Sequence, residues 1–237
     1  MQNTSHAVMA QRTEAKDSLD DFPTPPWATR ALMEHVLPKL QGFEHLTCLE
    51  PACGAGYMAK ALGEYFPIVH AADVHDYGYG HIEDFLVSTH QPGSFDWVIT
   101  NPPFRLAEDF VVRSLEIARC GVAIFARTNF LEGVGRYRRI FVPNPPLVLA
   151  QFTERVPIVR GRLDRKSSTA TAYAWFVWEK EIQPLPPRVS WIPPCRRDLE
   201  KDTDYNTPKT HFGGKSPIIP AALIFKRCGP IFSCRLM

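Results

Sequence analysis

The chain has 237 residues, of which 45% are hydrophobic and 22% are charged. This composition predicts one compact globular domain with appendages and excludes collagen-like, coiled-coil and wholly disordered chains. The first twenty residues are polar, and no stretch approaches the roughly 20 apolar residues that span a bilayer. Six cysteines without a C-x-x-C pair argue against a disulfide framework and a zinc ribbon. We therefore expect a cytoplasmic protein without membrane contacts.

Net charge is only +2, but the charges are unevenly distributed. Residues 1–104 contain 5 Lys/Arg and 13 Asp/Glu, whereas residues 105–237 contain 22 and 12. A basic second half favours a polyanionic partner such as nucleic acid, because Lys and Arg neutralise phosphates. Ordinary surface charge is the alternative.

The spacing of apolar residues predicts strands that alternate with helices. In chain order we predict a helix over 27–40 with Thr24 as its N-cap, a strand over 45–52, a helix over 57–65, strands over 68–74, near 85–87 and over 95–100, a helix over 106–120 ended by Gly121, and a strand over 121–128. This alternation implies an α/β fold with a mostly parallel sheet covered on both faces. Two further runs, 147–152 and 170–178, lack a helix between them and predict an antiparallel pair at the sheet edge.

The composition also divides the chain. We predict a flexible leader over 1–20, one α/β domain over 21–180 and a proline-rich C-terminal extension over 181–237. An ordered flap, a linker and an unstructured segment are all compatible with the extension.

A glycine-containing turn follows the first predicted strand. The run from Gly54 to Ala59 satisfies G-x-G-x-x-A, and glycines let backbone N–H groups approach a ligand at a helix N-terminus. Asp73 lies 19 residues beyond Gly54, near the spacing at which an acidic residue binds ribose hydroxyls. The pair is a nucleoside-binding signature that fits either a nicotinamide cofactor or S-adenosylmethionine.

The string Asn101-Pro102-Pro103-Phe104 follows the strand over 95–100 directly. An exocyclic amine on an aromatic ring is a poor nucleophile because its lone pair is delocalised into the ring. If the Asn101 side-chain oxygen and the Pro102 carbonyl accept its two N–H bonds, the lone pair is directed at a methyl donor. The two prolines hold this acceptor pair in place, and the Phe104 ring can stack on the base.

With these motifs in place, the sequence resembles the amino-group class of S-adenosylmethionine-dependent methyltransferases, and most closely the adenine-N6 DNA methyltransferases. The matching segments are TPPWAT from residue 24, LEPACGAG from residue 49, Asp73 with the later Asp84-Phe85 pair, and NPPF from residue 101. The resemblance implies a class I, Rossmann-like methyltransferase sheet, mostly parallel with an antiparallel C-terminal hairpin. The region after NPPF is shorter than the recognition domain of restriction-linked members, so tight sequence specificity is not expected.

The resemblance also implies roles for individual residues. Thr24 would hold the cofactor carboxylate, Glu50 and the glycine turn the methionine moiety, and Asp73 the ribose. Asp84 would accept from the adenine amine of the cofactor, with Phe85 on its ring. The full implied cofactor set is Thr24, Glu50, Pro51, Ala52, Cys53, Gly54, Gly56, Asp73, Asp84 and Phe85, and the catalytic set is Asn101, Pro102, Pro103 and Phe104.

Basic residues after the catalytic string are candidates for gripping phosphates around an adenine extruded from a duplex. They are Arg105, Arg136, Arg138, Arg139, Arg160, Arg162, Arg165 and Lys166. The histidines lack the cysteine or carboxylate pattern of a known site, so no metal is expected.

These observations leave other functions open. RNA adenine N6, guanine N2 and a protein glutamine amide are alternative acceptors of the methyl group. A nicotinamide-dependent oxidoreductase and a non-catalytic nucleic-acid-binding protein are alternatives of another class. The oligomeric state is not predicted.

Overall fold

The computed structural model describes residues 20–37, 43–180 and 186–205. Its strands are β1 (Thr47–Glu50), β2 (Ile68–Asp73), β3 (His81–Ile82), β4 (Phe95–Thr100), β5 (Ala118–Arg127), β6 (Val148–Phe152), β7 (Tyr173–Glu179) and β8 (Arg188–Ile192). Its α-helices are α1 (Pro26–Ala31), α2 (Tyr57–Leu62), α3 (Ala107–Ile117), α4 (Val134–Arg136) and α5 (Arg196–Leu199). Helix α1 continues as a π-helix over Leu32–Val36, and α4 as one over Tyr137–Phe141.

All eight strands form one sheet in the order β3-β2-β1-β4-β5-β7-β6-β8. Strands β1 to β5 pair in parallel, whereas β7 is antiparallel to both β5 and β6. The predicted mostly parallel sheet with an antiparallel hairpin is therefore confirmed. Because neighbouring parallel strands end at the same edge, the residues after β1, β2 and β4 are brought together.

The central strands are apolar on both sides because helices cover both faces of the sheet. On one face, Trp97, Phe125 and Trp175 pack against α1 and α2, and the Trp175 indole donates to the Ala28 carbonyl at 3.0 Å. On the other face, Val122 and its neighbours pack against α3. In the described residues no helix has the length and apolarity needed to cross a membrane.

The third predicted strand was misplaced. The strand is His81–Ile82, beside β2, whereas residues 85–87 form a turn. The Asp84 side chain accepts the Leu86 N–H at 3.0 Å, which is the local hydrogen bond that makes aspartate a turn former. Phe85 follows that turn into the core, where it is 2% exposed and packs on Phe110.

The predicted end of the α3 helix was also wrong. Gly121 lies inside β5, which begins at Ala118. A Cβ at Gly121 would come within 2.5 Å of the Trp97 indole, so this glycine is required by strand packing rather than by a helix end. The predicted 27–40 helix is described as far as Leu37, and residues 38–40 lie outside the described residues.

Strand β8 was not predicted. The predicted antiparallel pair, β6 with β7, is confirmed. It does not lie at the sheet edge, however, because β8 pairs in parallel with the outer side of β6. Arg30 ties the segment after β8 to α1: its buried guanidinium bonds Glu64 and Asp204, each at 2.8 Å, and the Leu199 carbonyl at 2.7 Å.

Candidate active site

A cavity of about 560 Å³ lies where β1, β2 and β4 end. Segments 20–24, 52–55 and 101–106 form three of its walls. The sequence-predicted residues in its lining are Thr24, Glu50, Ala52, Cys53, Gly54, Asp73, Asn101, Pro102, Pro103, Phe104 and Arg105. The structure therefore brings the two main motifs, 49 to 56 and 101 to 104, to one site.

The glycine turn has a backbone conformation that favours glycine. Gly54 and Gly56 have φ values of 50° and 79°, in the left-handed region that side chains rarely adopt. A Cβ at Gly56 would also lie 2.3 Å from the Tyr79 ring. Gly56 thus allows both the turn into α2 and the close approach of the 77–80 loop.

Asp73 ends β2 beside this turn. Its two carboxylate oxygens accept the backbone N–H groups of Gly54 at 2.9 Å and His75 at 3.0 Å. A carboxylate has about four acceptor sites, so both oxygens retain capacity for a ligand. Asp73 therefore fixes the cavity wall and can still accept from ribose hydroxyls.

Carboxyl groups line the cavity, among them those of Asp21, Glu50 and Asp73. Burial, followed by the nearby charge of Asp73, raises the pKa of Glu50 well above its usual range, although the Ala59 backbone N–H opposes the shift. The Glu50 Oε2 atom is buried without a hydrogen-bond partner. Burial and Asp73 also raise the pKa of Asp21, against the opposing charge of Arg160. A cationic ligand would favour the ionised forms of these carboxyl groups.

The predicted N-cap role of Thr24 is wrong. The cap position is occupied by Pro25, with no side-chain hydrogen bond, because Pro26 begins the helix without needing an N–H partner. Thr24 is 3% exposed, and its hydroxyl has no hydrogen-bond partner. It lines the cavity and is available to a ligand.

The Asn101 side chain is held in one orientation. Its Nδ2 donates to the Phe22 carbonyl at 2.8 Å, and a carbonyl can only accept, so the oxygen must lie on the other side. That Oδ1 atom is buried and has no partner. A buried amide oxygen without a donor is costly unless a ligand supplies one.

The Phe104 ring already has two neighbours. The Phe22 ring lies 5.2 Å from it between centroids, and the Arg127 guanidinium carbon lies 4.1 Å from its centroid. The Arg127 Nε is buried without a partner. The Arg127 guanidinium therefore covers ring surface that was predicted to stack on a base.

A second cavity of about 350 Å³ adjoins the first through Pro102, Phe104 and Arg105. Polar and aromatic side chains line it, including Asn129, Phe130, Glu108 and Arg136. Arg136 is fixed there by Glu108 at 3.1 Å and by the Phe130 carbonyl at 3.0 Å. A planar ligand in this second cavity would lie beside Pro102, which lines both cavities.

Asp84 and Phe85 are not brought to either cavity. Asp84 is exposed and Phe85 is buried beneath α3. Val74, His75 and Tyr77 line the first cavity instead, next to Asp73. These three residues were not predicted, although their position directly after the acidic strand end could have indicated them.

Residues 20–23 were missed in the same way. Asp20, Asp21, Phe22 and Pro23 all line the first cavity beside Thr24. Asp20 was predicted to end a flexible leader, but its carboxylate accepts the Phe104 N–H at 2.5 Å. The prolines around Thr24 were the available signal, since they indicated a stiff chain leading into α1.

The predicted basic residues occupy three places. Arg105 and Arg136 line the second cavity, Arg138 and Arg139 lie on the exposed helix after it, and the others lie on the 160–166 loop. Four of the eight form ion pairs: Arg136 with Glu108, Arg139 with Asp109, Arg162 with Asp164, and Arg165 with both Glu200 and Asp202. Within the described ranges, no three His, Cys, Asp or Glu side chains are grouped as a metal site requires.

No protein-family profile and no curated protein matches the chain. Solved structures do. A protein from Listeria monocytogenes assigned as a class I S-adenosylmethionine-dependent methyltransferase matches with a TM-score of 0.54 at 11% identity, over 74% of this chain and 67% of its own. One from Pyrococcus horikoshii assigned as an RNA methyltransferase matches with a TM-score of 0.51 at 18% identity, over 70% of this chain and 90% of its own. A modification subunit assigned to a type I restriction enzyme of Vibrio vulnificus matches with a TM-score of 0.50 at 16% identity, over 75% of this chain and 48% of its own. The chain therefore has the class I methyltransferase fold.

Proposed function

We propose that this chain transfers a methyl group from S-adenosylmethionine to the exocyclic amine of a nucleic-acid base, adenine N6 in DNA. The observation that carries the proposal is the Asn101 Oδ1 atom, which is buried, unpartnered and held in place by the bond from Nδ2 to Phe22. This oxygen can accept a hydrogen bond from an N–H donor in the first cavity, which Asn101 lines. An aromatic amine is such a donor.

The first cavity fits the cofactor. S-adenosylmethionine, when bound, supplies a methyl group on a positively charged sulfur, and it also carries an ammonium group. Glu50 offers an unpartnered carboxylate oxygen to a cation, and Thr24 offers a free hydroxyl to the cofactor carboxylate. Asp73 would accept from the ribose, and Val74, which is 52% exposed beside it, would pack on the adenine ring.

The second cavity fits the methyl acceptor. Pro102 and Phe104 separate it from the cofactor cavity, so a base lying there could direct its amine over the Pro102 wall to Asn101. Because Arg127 covers Phe104, we assign the stacking surface to the Arg127 guanidinium, with Phe104 behind it. Guanidinium planes stack on bases, and the charge strengthens the contact.

Nucleic acid would reach this cavity across a basic surface. Arg105 lines both cavities, and exposed Arg138 lies on the helix next to the second. Tyr137 on the same helix is 60% exposed and is suited to wedge between bases as one is extruded. The names of two fold neighbours, the RNA methyltransferase and the restriction modification subunit, agree with a nucleic-acid substrate.

Mass spectrometry of nucleosides tests the proposal. DNA and RNA would be taken from a methylation-deficient host that expresses the wild type, Asn101→Ala, or Asn144→Ala as an exposed asparagine control. We expect N6-methyladenine in DNA with the wild type and Asn144→Ala only. Methylation confined to RNA would contradict the DNA assignment, and methylation of neither polymer would contradict a nucleic-acid substrate.

A further inference from the structure

We propose that Asp20 is a positioning residue that holds the catalytic turn in its reactive geometry through the Phe104 backbone. This inference rests on the proposed function and extends it to a residue outside the motif. It starts from the hydrogen bond between the Phe104 N–H and the Asp20 Oδ2 atom, at 2.5 Å. A bond from an amide to a carboxylate is charge-assisted and about twice as strong as a neutral one.

The turn has few backbone donors by which it can be held. Pro102 and Pro103 lack an N–H group, so Phe104 carries the first backbone donor after Asn101. Asp20 captures that donor. The prolines restrict the shape of the turn, but they do not attach it to the rest of the protein, and the Asp20 carboxylate supplies an attachment.

Segment 20–24 holds both ends of the turn. At one end the Phe22 carbonyl accepts the Asn101 Nδ2 at 2.8 Å, and at the other Asp20 accepts the Phe104 N–H. The Phe22 ring also packs on the Phe104 ring, 5.2 Å between centroids. Movement of Asp20 would therefore displace Phe22, and with it the group that orients the Asn101 oxygen.

The outer side of the same segment is attached to the basic loop. The Gly161 N–H donates to the Asp21 carbonyl at 2.8 Å, and the charge of Arg160 acts on the Asp21 carboxyl group. Segment 20–24 thus lies between the loop and the catalytic turn and contacts both. A displacement of an ångström at such a turn can cost a factor of about 10² in rate.

Two variants separate positioning from charge. Asp20→Asn keeps an oxygen that can accept the Phe104 N–H, whereas Asp20→Ala removes it. Asp198, an exposed aspartate on α5, supplies the matched controls Asp198→Asn and Asp198→Ala. We expect kcat to fall by about 10-fold or more in Asp20→Ala and to recover substantially in Asp20→Asn, with both Asp198 variants at the wild-type rate.

Hydrogen–deuterium exchange at single-residue resolution provides a readout independent of activity. The Phe104 amide should be protected in the full-length wild type and in Asp20→Asn, and should exchange faster in Asp20→Ala. Equal protection in the wild type and Asp20→Ala would overturn the inference. So would faster exchange in Asp20→Ala with an unchanged kcat. If the wild type methylates neither DNA nor RNA, the proposed function fails, while the exchange measurement still decides whether Asp20 holds the turn.

Discussion

The carboxylate of Asp73 accepts the backbone N–H of Gly54 at 2.9 Å, which joins the end of β2 to the turn after β1. The acidic residue predicted to bind a ribose is therefore also part of the scaffold of its own cavity. Its second oxygen accepts the His75 N–H and orients the next loop. One side chain thus couples the shape of the site to its ligand chemistry.

Asp73→Ala should weaken cofactor binding by about 1–3 kcal/mol, because charge-assisted hydrogen bonds to the ribose are lost. Titration calorimetry with S-adenosylmethionine measures the change. Asp76→Ala is the matched control, since exposed Asp76 also caps a turn, at the Gly78 N–H, but does not line the cavity. Unchanged affinity in Asp73→Ala would remove Asp73 from the cofactor site.

Asn101→Ala should lower kcat by about 10² or more and leave cofactor affinity nearly unchanged, because its free oxygen is assigned to the methyl acceptor rather than to the cofactor. Steady-state kinetics and cofactor titration on the same preparations separate the two effects. A large loss of cofactor affinity would show that the role of Asn101 is misassigned.

Glu50→Gln should change the pH dependence of stability. Because the folded-state pKa of Glu50 is raised, the native state retains a proton that the unfolded state releases above about pH 4.5. Wild-type stability should therefore fall as pH rises above that value, by at most about 1.4 kcal/mol per pH unit from this group, until Glu50 ionises in the folded state.

Thermal unfolding of the wild type and Glu50→Gln between pH 5 and 8 measures this effect. The wild type should lose stability relative to the variant as pH rises. The cofactor should bind the wild type more tightly, because a cation favours the ionised Glu50 carboxylate. Parallel pH profiles for the two proteins would contradict the buried, cavity-facing role of this group.

Gly56→Ala should destabilise the fold more than Gly78→Ala. Both glycines have a positive φ, 79° and 74°, so both substitutions incur a backbone cost of about 1–2 kcal/mol. Only the Gly56 Cβ would also meet the Tyr79 ring, at 2.3 Å, whereas the Gly78 Cβ meets nothing within 4 Å. Urea unfolding measures the loss of unfolding free energy in each variant, and the difference between the two losses gives the steric contribution of Tyr79. Equal losses would mean that the Tyr79 ring moves aside freely.

Arg127→Lys should reduce methylation more than it reduces cofactor binding, because lysine keeps the charge and loses the planar surface over Phe104. Kinetics with single-stranded oligonucleotides should show a raised KM for the oligonucleotide, by about tenfold if one base-stacking contact of 1–3 kcal/mol is lost. Arg155→Lys is the control, since exposed Arg155 bonds the Ala170 carbonyl away from both cavities. Equal KM values for Arg127→Lys and the wild type would return the stacking role to Phe104.

Local patterns were sufficient for much of the fold. The strand over 95–100 is observed with the predicted bounds, and the helix that starts at Tyr57 begins where the glycine turn predicted. The assignment near 85–87 failed because a single buried phenylalanine resembles strand burial, whereas the Asp84 turn determines the backbone there. Strand β8 was missed because the prolines around it masked a short strand whose pairing is supplied by distant β6.

By itself the sequence determined which residues meet at the cavity, because the glycine turn, Asp73 and Asn101 have local spacings that parallel strands bring to one edge. Only the tertiary structure decided how those residues are held. The carbonyl that orients Asn101 belongs to Phe22, 79 positions away, and the guanidinium that covers Phe104 belongs to Arg127, at the end of the neighbouring strand β5. Contacts between residues so far apart in the chain leave no periodicity in the sequence, since they depend on how the segments pack in three dimensions.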